Sequence, residues 1–258
     1  MTFPSTIAAI DEAVVSKIIA IQNLRDRSLA SHARRTAEVA VAIGGALRCD
    51  VDTLDMLYLA GQLHDIGKLG VTESTLWKPA GLSHAEWREI RTHPEEGHRL
   101  VADAVHRDVA AAVLYHHERL DGGGYPYGID ARTTPLVARV VSVADAFDAM
   151  TAGRPYQMAI PPRAAIDEIE RCAGTPFDPE AAAGLRKVYL TRGDPRILSD
   201  IPAEPAFVAA QPESEDREAS PVADVIDLTD SPTYGPADPS PADPFEHSTS
   251  MVRLRRSG

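Results

Sequence analysis

A histidine–aspartate pair, His64-Asp65, stands where an ordinary helical core would carry apolar residues. His64 follows Leu57 by seven residues, and Asp65 follows Tyr58 by the same number. Seven residues is about two helical turns, so both side chains are predicted to prolong the buried face of one helix. A buried carboxylate beside a buried imidazole is costly unless something positive pairs with them, as a metal ion does. From this dipeptide alone, a hydrogen-bonded pair in the core remains the alternative.

A second pair, His116-His117, follows an apolar helical pattern. Adjacent helical residues diverge by about 100°, so the two imidazoles can flank one inward-facing edge, as ligands of two neighbouring ions would. Asp145 shares a helix face with Ala138 and Val141 and is predicted to point inward as well.

Two further histidines complete the candidate set. His32 lies on the face that continues to Thr36 and Val39, and His93 precedes Pro94 at a helix start. Each alone is more often a satisfied core histidine. Together, five histidines and two aspartates on inward faces predict a metal centre: His32, His64, Asp65, His93, His116, His117 and Asp145. Mixed imidazole and carboxylate ligands suit Fe, Mn or Zn better than Ca or Mg.

The elements that must position these side chains are predicted to be helices. Apolar periodicity and capping signals predict helices over residues 7–21, 28–47, 53–65, 107–118, 135–151, 162–172 and 179–190. Asp52 or Thr53 is the expected cap of the third, Ser83 with Glu86 predicts a capping box, and Pro94 predicts a short helix. Aromatic residues make up 5% of the chain, and no strand pattern is defensible. The predicted fold class is all-α, a helical bundle.

Composition excludes several classes of partner. The 258 residues carry a net charge of −12. Most of that charge lies after position 199, where there are twelve acidic and four basic residues. The nearly balanced remainder has no electrostatic footprint for duplex nucleic acid. No stretch approaches the ~18 apolar residues of a membrane span, and no signal peptide is recognisable. The two cysteines, Cys49 and Cys172, are predicted to be reduced, and the protein to be cytoplasmic.

Three regions are predicted along the chain. Residues 1–24 form an N-terminal helix that caps the bundle or makes a homodimer contact, and residues 25–193 form the domain that carries the candidate metal ligands. Residues 194–258 form an acidic tail rich in Pro, Ser and Ala, predicted to be disordered because it cannot bury enough apolar surface. Residues 222–228 are interpreted as solvated linker, with ordering against an unknown partner as the alternative.

Several motifs carry a resemblance to a known family. Residues 64–68, HDIGK, match the HD signature of metal-dependent phosphohydrolases. Residues 116–126, HHERLDGGGYP, are similar to the extended signature of the HD-GYP family, and agreement continues through 143–151, 154–156 and 174–179. The resemblance covers residues 25–192 in consistent order.

Membership of that family implies an all-helical HD fold that hydrolyses cyclic dinucleotides, chiefly c-di-GMP, to linear pGpG or on to GMP. Carried over, one ion is expected on His32, His64, Asp65 and Asp145. The second is expected on Asp65 as a bridge with His93, His116 and His117. The implied cofactors are two divalent ions, iron first and manganese as the alternative. Paired cations lower the pKa of bound water and stabilise charge at phosphorus.

Three further residues resemble the family's substrate contacts. Lys68 is expected at the scissile phosphate, where it assists the leaving oxygen. Tyr125, in the glycine-rich loop, is expected as a platform for the substrate, and Arg154 as a phosphate contact. The alternatives are a solvated lysine, a tyrosine that packs the loop, and an arginine that pairs with Asp148 or another acid. Glu118 is expected to orient ligands or fix the loop.

The sequence departs from the family pattern at two positions that bear on the metal count and on phosphate binding. Ser28 stands where members with a third metal carry a glutamate, so a two-metal site and a single cleavage are predicted. Gln157 replaces an often basic residue. Two rivals therefore accompany the phosphodiesterase: an HD hydrolase for another nucleotide such as 3',3'-cGAMP, and a scaffold module that binds the ligand with negligible turnover.

Overall fold

A computed structural model describes residues 12–78, 81–152 and 159–195. Ten α-helices and two short 3-10 helices occur in these ranges, together with two isolated β-bridges and no strand. The helices are α1 Glu12–Arg25, α2 Arg27–Ala46, α3 Val51–Leu63, α4 Glu73–Leu76, α5 His84–Ile90, α6 His93–Val101, α7 Arg107–Tyr115, α8 Leu136–Ala152, α9 Pro162–Arg171 and α10 Pro179–Arg192. The 3-10 helices are Ile66–Gly70 and Ala131–Thr133. The predicted all-α class is confirmed.

The long helix α8 lies at the centre of the bundle. It packs against α2, α3, α7, α9 and α10, and nearly all of its residues from Val137 to Thr151 are buried. Its run of valines, alanines and Phe147 is apolar on every side, as a helix enclosed by neighbours must be. The polar residues Asp145 and Asp148 lie on this enclosed surface of α8 and are therefore buried in the interior.

Helix starts follow side-chain caps, with one correction. Ser83 and Glu86 form the predicted capping box, and Asp178 caps α10 as expected. The expected cap of α3 at Asp52 or Thr53 was wrong, because Asp50 caps it through its Oδ1, which accepts from the Thr53 amide at 2.9 Å. Arg48 has a positive φ of 62° and turns the chain so that α3 begins at residue 51.

Two helices end earlier than predicted, and both ends lie at the histidine pairs. α3 ends at Leu63 and α7 at Tyr115, although His64 and His116 still donate their amides to carbonyls four residues earlier. Asp65 then leaves the helical path at φ −98° and ψ 7°. The second residue of each pair is therefore aimed by the turn that follows the helix, and not by the helix periodicity.

Gly67 lets the first 3-10 helix approach α6 closely. A Cβ atom at this position would lie 1.9 Å from the carbonyl oxygen of His93 and 2.6 Å from the amide nitrogen of Gly97. Only a residue without a side chain permits that contact. The approach brings the start of α6, and with it His93, beside Asp65.

None of the helices in the described residues combines the length and apolarity that crossing a membrane requires. Cys49 and Cys172 are free thiols, as predicted. The predicted tail, apart from residues 194–195, lies outside the described residues. Arg154 and Gln157 lie outside them too.

Candidate metal centre

All seven predicted ligands converge, in two groups. Within each group the ligand atoms lie within 4.8 Å of one another. The first group consists of His32, His64 and Asp145, and the second of Asp65, His93, His116 and His117. They come from α2, the end of α3, α6, the end of α7 and α8, so five separate segments contribute.

The carboxylate of Asp65 faces both groups. Its Oδ1 lies 3.2 Å from Nε2 of His93 and 4.0 Å from Nε2 of His116. Its Oδ2 lies 3.5 Å from Nε2 of His64 and 3.7 Å from Nε2 of His32. One carboxylate oxygen is thus directed at each group, which is the arrangement of a bridging ligand between two ions.

Helix carbonyls fix the orientation of three imidazoles. In each case Nδ1 donates to the carbonyl three residues earlier: His64 to Gly61 at 2.8 Å, His93 to Ile90 at 2.7 Å and His116 to Val113 at 3.0 Å. A ring that donates from Nδ1 keeps its Nε2 lone pair for a metal in the neutral state. The three Nε2 atoms all lie within 4.0 Å of a carboxylate oxygen of Asp65.

His32 is oriented differently, by a carboxylate that sequence reasoning missed. Its Nδ1 lies 2.7 Å from Oδ2 of Asp148, a fully buried residue. Arg35 holds the same carboxylate in a fork, with Nε 2.7 Å from Oδ1 and Nη2 2.9 Å from Oδ2. The sequence did contain a signal, because Arg35 follows His32 and Asp148 follows Asp145 by three residues each, about one helical turn.

Unpaired atoms in the cluster fit a bound cation. Two buried atoms, Nε2 of His64 and Oδ1 of Asp65, make no hydrogen bond with any of the described residues. Nε2 of His93 and Nε2 of His116 face each other at 3.3 Å. Buried acceptor atoms that converge without donors are costly, and positive charge between them removes the cost. The donor set of imidazoles and carboxylates is suited to a divalent transition metal.

The protonation states of His116, His117 and Asp65 also suit metal binding. Burial, reinforced by neighbouring imidazoles, lowers the pKa of His116 to about 3 and holds the pKa of His117 well below its usual range. Burial opposes the charge of Asp65, yet Lys68 and His64 outweigh it and hold the pKa of that carboxyl well below its usual value. Neutral imidazoles and ionised carboxylates are the forms that bind metals.

Lys68 and Tyr125 border the cluster. Nζ of Lys68 lies 2.6 Å from Oδ2 of Asp65, and 16% of the lysine side chain is exposed. The ring of Tyr125 stacks on His117, with centroids 4.5 Å apart, and the guanidinium of Arg91 lies 5.2 Å from its centroid. Both predicted substrate contacts therefore lie at the ligand groups, while Arg154 falls outside the described residues.

The glycine-rich loop is anchored by Glu118. Its two carboxylate oxygens accept from the amides of Tyr127 at 2.8 Å and Ile129 at 3.1 Å. Glu118 as a residue is 2% exposed, so the anchor is internal, as the expected role of fixing the loop requires. Because Glu118 directly follows His117, fixing the loop also fixes Tyr125 against that histidine.

The chain is similar to a known family over a range that includes the residues that build this centre. The profile of the family described as HD domain matches residues 14–181. The chain belongs to the HD domain family. The relatives of this HD domain protein include the "3'3'-cGAMP-specific phosphodiesterase 3" of Vibrio cholerae, 35% identical over 68% of this chain and 38% of that protein. They also include the "Cyclic di-GMP phosphodiesterase response regulator RpfG" of Xanthomonas campestris, 33% identical over 66% of this chain and 46% of that one.

A third relative, the "Cyclic di-GMP phosphodiesterase PA4108" of Pseudomonas aeruginosa, is 42% identical over 47% of this chain and 30% of its own length. The HD domain protein therefore spans less than half the length of these relatives. A solved structure of a cyclic GMP-AMP specific phosphodiesterase from V. cholerae superposes with a TM-score of 0.53 at 17% identity, over 71% of this chain and 49% of that one. It supports the HD fold.

Proposed function

We propose that this HD domain protein is a cyclic-dinucleotide phosphodiesterase that hydrolyses one phosphodiester bond of c-di-GMP to give linear pGpG. The observation that carries the proposal is Asp65, whose carboxylate directs one oxygen at each of two metal-ligand groups in an HD domain. The similarity to relatives named as cyclic di-GMP phosphodiesterases supports the choice of substrate.

The seven ligands are proposed to hold two divalent ions, iron first and manganese as the alternative. His32, His64 and Asp145 would hold one and His93, His116 and His117 the other, and Asp65 would contribute a carboxylate oxygen to each. Two such ions supply Lewis acidity, which lowers the pKa of water and stabilises negative charge on the reacting phosphate. Ser28, at the family's position for a third-metal glutamate, supports a reaction that stops at pGpG.

The surrounding residues bind and orient the substrate. Lys68 lies beside Asp65 at the edge of both groups, so its ammonium can donate to a phosphate oxygen and supply a proton to the departing 3'-oxygen. Tyr125 presents a ring, already stacked on His117, as a platform for a guanine base or a phosphate. Arg154 is proposed as a second phosphate contact.

A second substrate is favoured by one specific observation. The relatives named as 3'3'-cGAMP-specific phosphodiesterases include one that aligns over 68% of this chain at 35% identity. c-di-GMP and 3',3'-cGAMP differ in one base, so the metal centre serves both equally. Discrimination between them rests on the residues that contact the bases.

Turnover by purified, metal-loaded protein tests the proposal. The protein is purified anaerobically, loaded with Fe²⁺ or Mn²⁺, and incubated separately with c-di-GMP, 3',3'-cGAMP and mononucleotides, with products separated by chromatography. We expect pGpG from c-di-GMP, and no product with EDTA or with the Asp65→Asn variant. Binding of c-di-GMP without cleavage would favour the scaffold, and cleavage of mononucleotides alone would favour a different HD hydrolase.

The remaining expectations concern assembly and location. Ile21 and Leu24 are exposed on α1, which supports a homodimer contact through this helix. A partner for the tail and a cytoplasmic location stay predictions. Size determination by light scattering, with and without an Ile21→Ser and Leu24→Ser double substitution, tests the dimer.

A further inference from the structure

The two ligand groups are built on supports of different kinds. His64, His93 and His116 are oriented by helix carbonyls, which cannot rotate away without unfolding the helix. His32 is oriented by a side chain, the carboxylate of Asp148, which Arg35 holds in turn. Two ion-pairing side chains thus stand between the backbone and this one ligand.

We propose that Arg35 and Asp148 are positioning residues that set the occupancy of the His32–His64–Asp145 ion site without affecting the other site. The inference rests on the proposed metal centre, but not on catalysis. It assigns a function to two residues that lie outside both ligand groups.

The arrangement of the four side chains supports this role. α2 supplies His32 and Arg35, and α8 supplies Asp145 and Asp148, each pair separated by one helical turn. One turn of each helix meets at the ion site, where Nε2 of His32 lies 3.0 Å from Oδ1 of Asp145. The next turn meets at the Arg35–Asp148 pair. The second contact therefore fixes the distance between the two ligands in the first.

The carboxylate of Asp148 also fixes where the imidazole proton resides. An ionised carboxylate only accepts hydrogen bonds, so Nδ1 of His32 must keep its proton, and Nε2 is the nitrogen that gives up its proton when a metal binds. Arg35 donates to both oxygens of Asp148, which prevents the carboxylate from rotating. The pair therefore determines both the direction and the tautomer of His32.

Substitution of Asp148 by Asn keeps the shape but removes the charge and one acceptor. Arg35 donates to both oxygens of Asp148 and Nδ1 of His32 donates to Oδ2, whereas an amide has one oxygen and an NH2 group that only donates. Whichever way the amide turns, its NH2 faces a donor, so the hold on the His32 ring is weakened. The Arg35→Gln substitution acts by the other route, because it leaves the carboxylate of Asp148 free to turn.

A merely structural ion pair is the competing explanation, and the fold supplies a matched control. Arg139 on α8 pairs with Asp178 at the start of α10, and neither residue belongs to a ligand group. The side chains are 23% and 6% exposed, against 27% and 0% for Arg35 and Asp148. Arg139→Gln therefore removes a buried interhelical ion pair of the same kind without touching a ligand.

The test is manganese binding by the full chain, measured by equilibrium dialysis with metal analysis and by electron paramagnetic resonance. We expect wild type to bind two ions that give the spectrum of a coupled pair. Asp148→Asn and Arg35→Gln should each weaken one site by about 10–100-fold, leave the other unchanged, and give the spectrum of an isolated ion. Arg35→Lys should restore part of the loss. Arg139→Gln should lower the melting temperature and keep both ions.

Two results would overturn the inference: two ions bound with unchanged affinity in Asp148→Asn, or equal weakening of both sites in both folded variants. If a variant does not fold, Arg35→Lys carries the same comparison. The test is independent of turnover. A wild type that binds two ions but cleaves no cyclic dinucleotide defeats the proposed function alone, and an active Asp148→Asn enzyme with two ions defeats the positioning role alone.

Discussion

Nε2 of His93 and Nε2 of His116 face each other at 3.3 Å, while the Nδ1 atom of each ring donates to a helix carbonyl. With Nδ1 protonated, the neutral rings direct two lone pairs at one another. A hydrogen bond between them would require one ring to be charged, yet burial lowers the pKa of both. The contact is repulsive in the metal-free protein and becomes favourable when a cation occupies the space between the two nitrogens.

Substitution of His116 is therefore expected to abolish the binding of one metal ion. His116→Ala should bind one manganese fewer than wild type, and added Mn²⁺ should raise its melting temperature less. A ligand at a hundredfold excess over its Kd stabilises a folded protein by about 2.7 kcal/mol, so the difference is measurable by thermal shift. His84→Ala, at an exposed histidine on α5, is the control and should match wild type. Equal manganese stoichiometry in the two variants would contradict the assignment.

Replacement of Lys68 should impair turnover but leave the metals in place. Lys68→Met keeps the length of the side chain and removes the ammonium that lies 2.6 Å from Asp65. We expect kcat to fall by about 10²-fold, the usual effect of losing one donor to a developing charge. Lys78→Met is the matched control, because Lys78 pairs with Glu86 on α5. A normal kcat in Lys68→Met would show that the ammonium is an ordinary solvated charge.

The stability of the metal-free protein should peak near pH 6.5. His116 has a folded-state pKa of about 3, so below pH 6.5 the unfolded chain binds the extra proton and the free energy of unfolding falls. His32 is the opposite case. Burial opposes its charge, but Asp145 and Asp148 outweigh burial and raise its pKa to about 9. The contribution of His32 to the free energy of unfolding is complete below pH 6.5 and is lost as the pH rises to about 9.

Urea unfolding in EDTA between pH 4 and pH 10 measures both limbs. His32→Gln should flatten the alkaline limb and leave the acid limb in place. Manganese should also abolish the alkaline loss, since the ion replaces the proton on His32. Stability that rises steadily from pH 6.5 to pH 9 in EDTA would be inconsistent with the raised pKa of His32.

A methyl group at Gly67 should separate α6 from the first 3-10 helix. The new Cβ would meet the carbonyl oxygen of His93 at 1.9 Å, so Gly67→Ala should destabilise the fold by about 1–3 kcal/mol and weaken ion binding by the Asp65 group. Gly45→Ala on α2 meets nothing within 4 Å and should raise stability by up to about 1 kcal/mol. Similar unfolding curves for the two variants would refute the close approach.

Apolar periodicity in the sequence was enough to predict the helical class and most helix bounds. Capping side chains predicted the starts of α5 and α10, where Ser83 and Asp178 bind their own helix amides. The α3 start was misplaced because Asp50, Asp52 and Thr53 are all competent caps. The choice among them depends on the turn at Arg48, which periodicity does not report.

The sequence by itself singled out the seven candidate side chains and the motif that places the chain in the HD family, because imidazoles and carboxylates interrupt otherwise apolar helical patterns. Only the tertiary structure decided that Asp65 directs one oxygen at each group, and that Asp148 and Arg35 hold His32. The contacts of Asp148 with His32 and Arg35 join residues more than a hundred positions apart. The direction of the Asp65 carboxylate depends on a backbone that is no longer helical. Local periodicity carries no information about either.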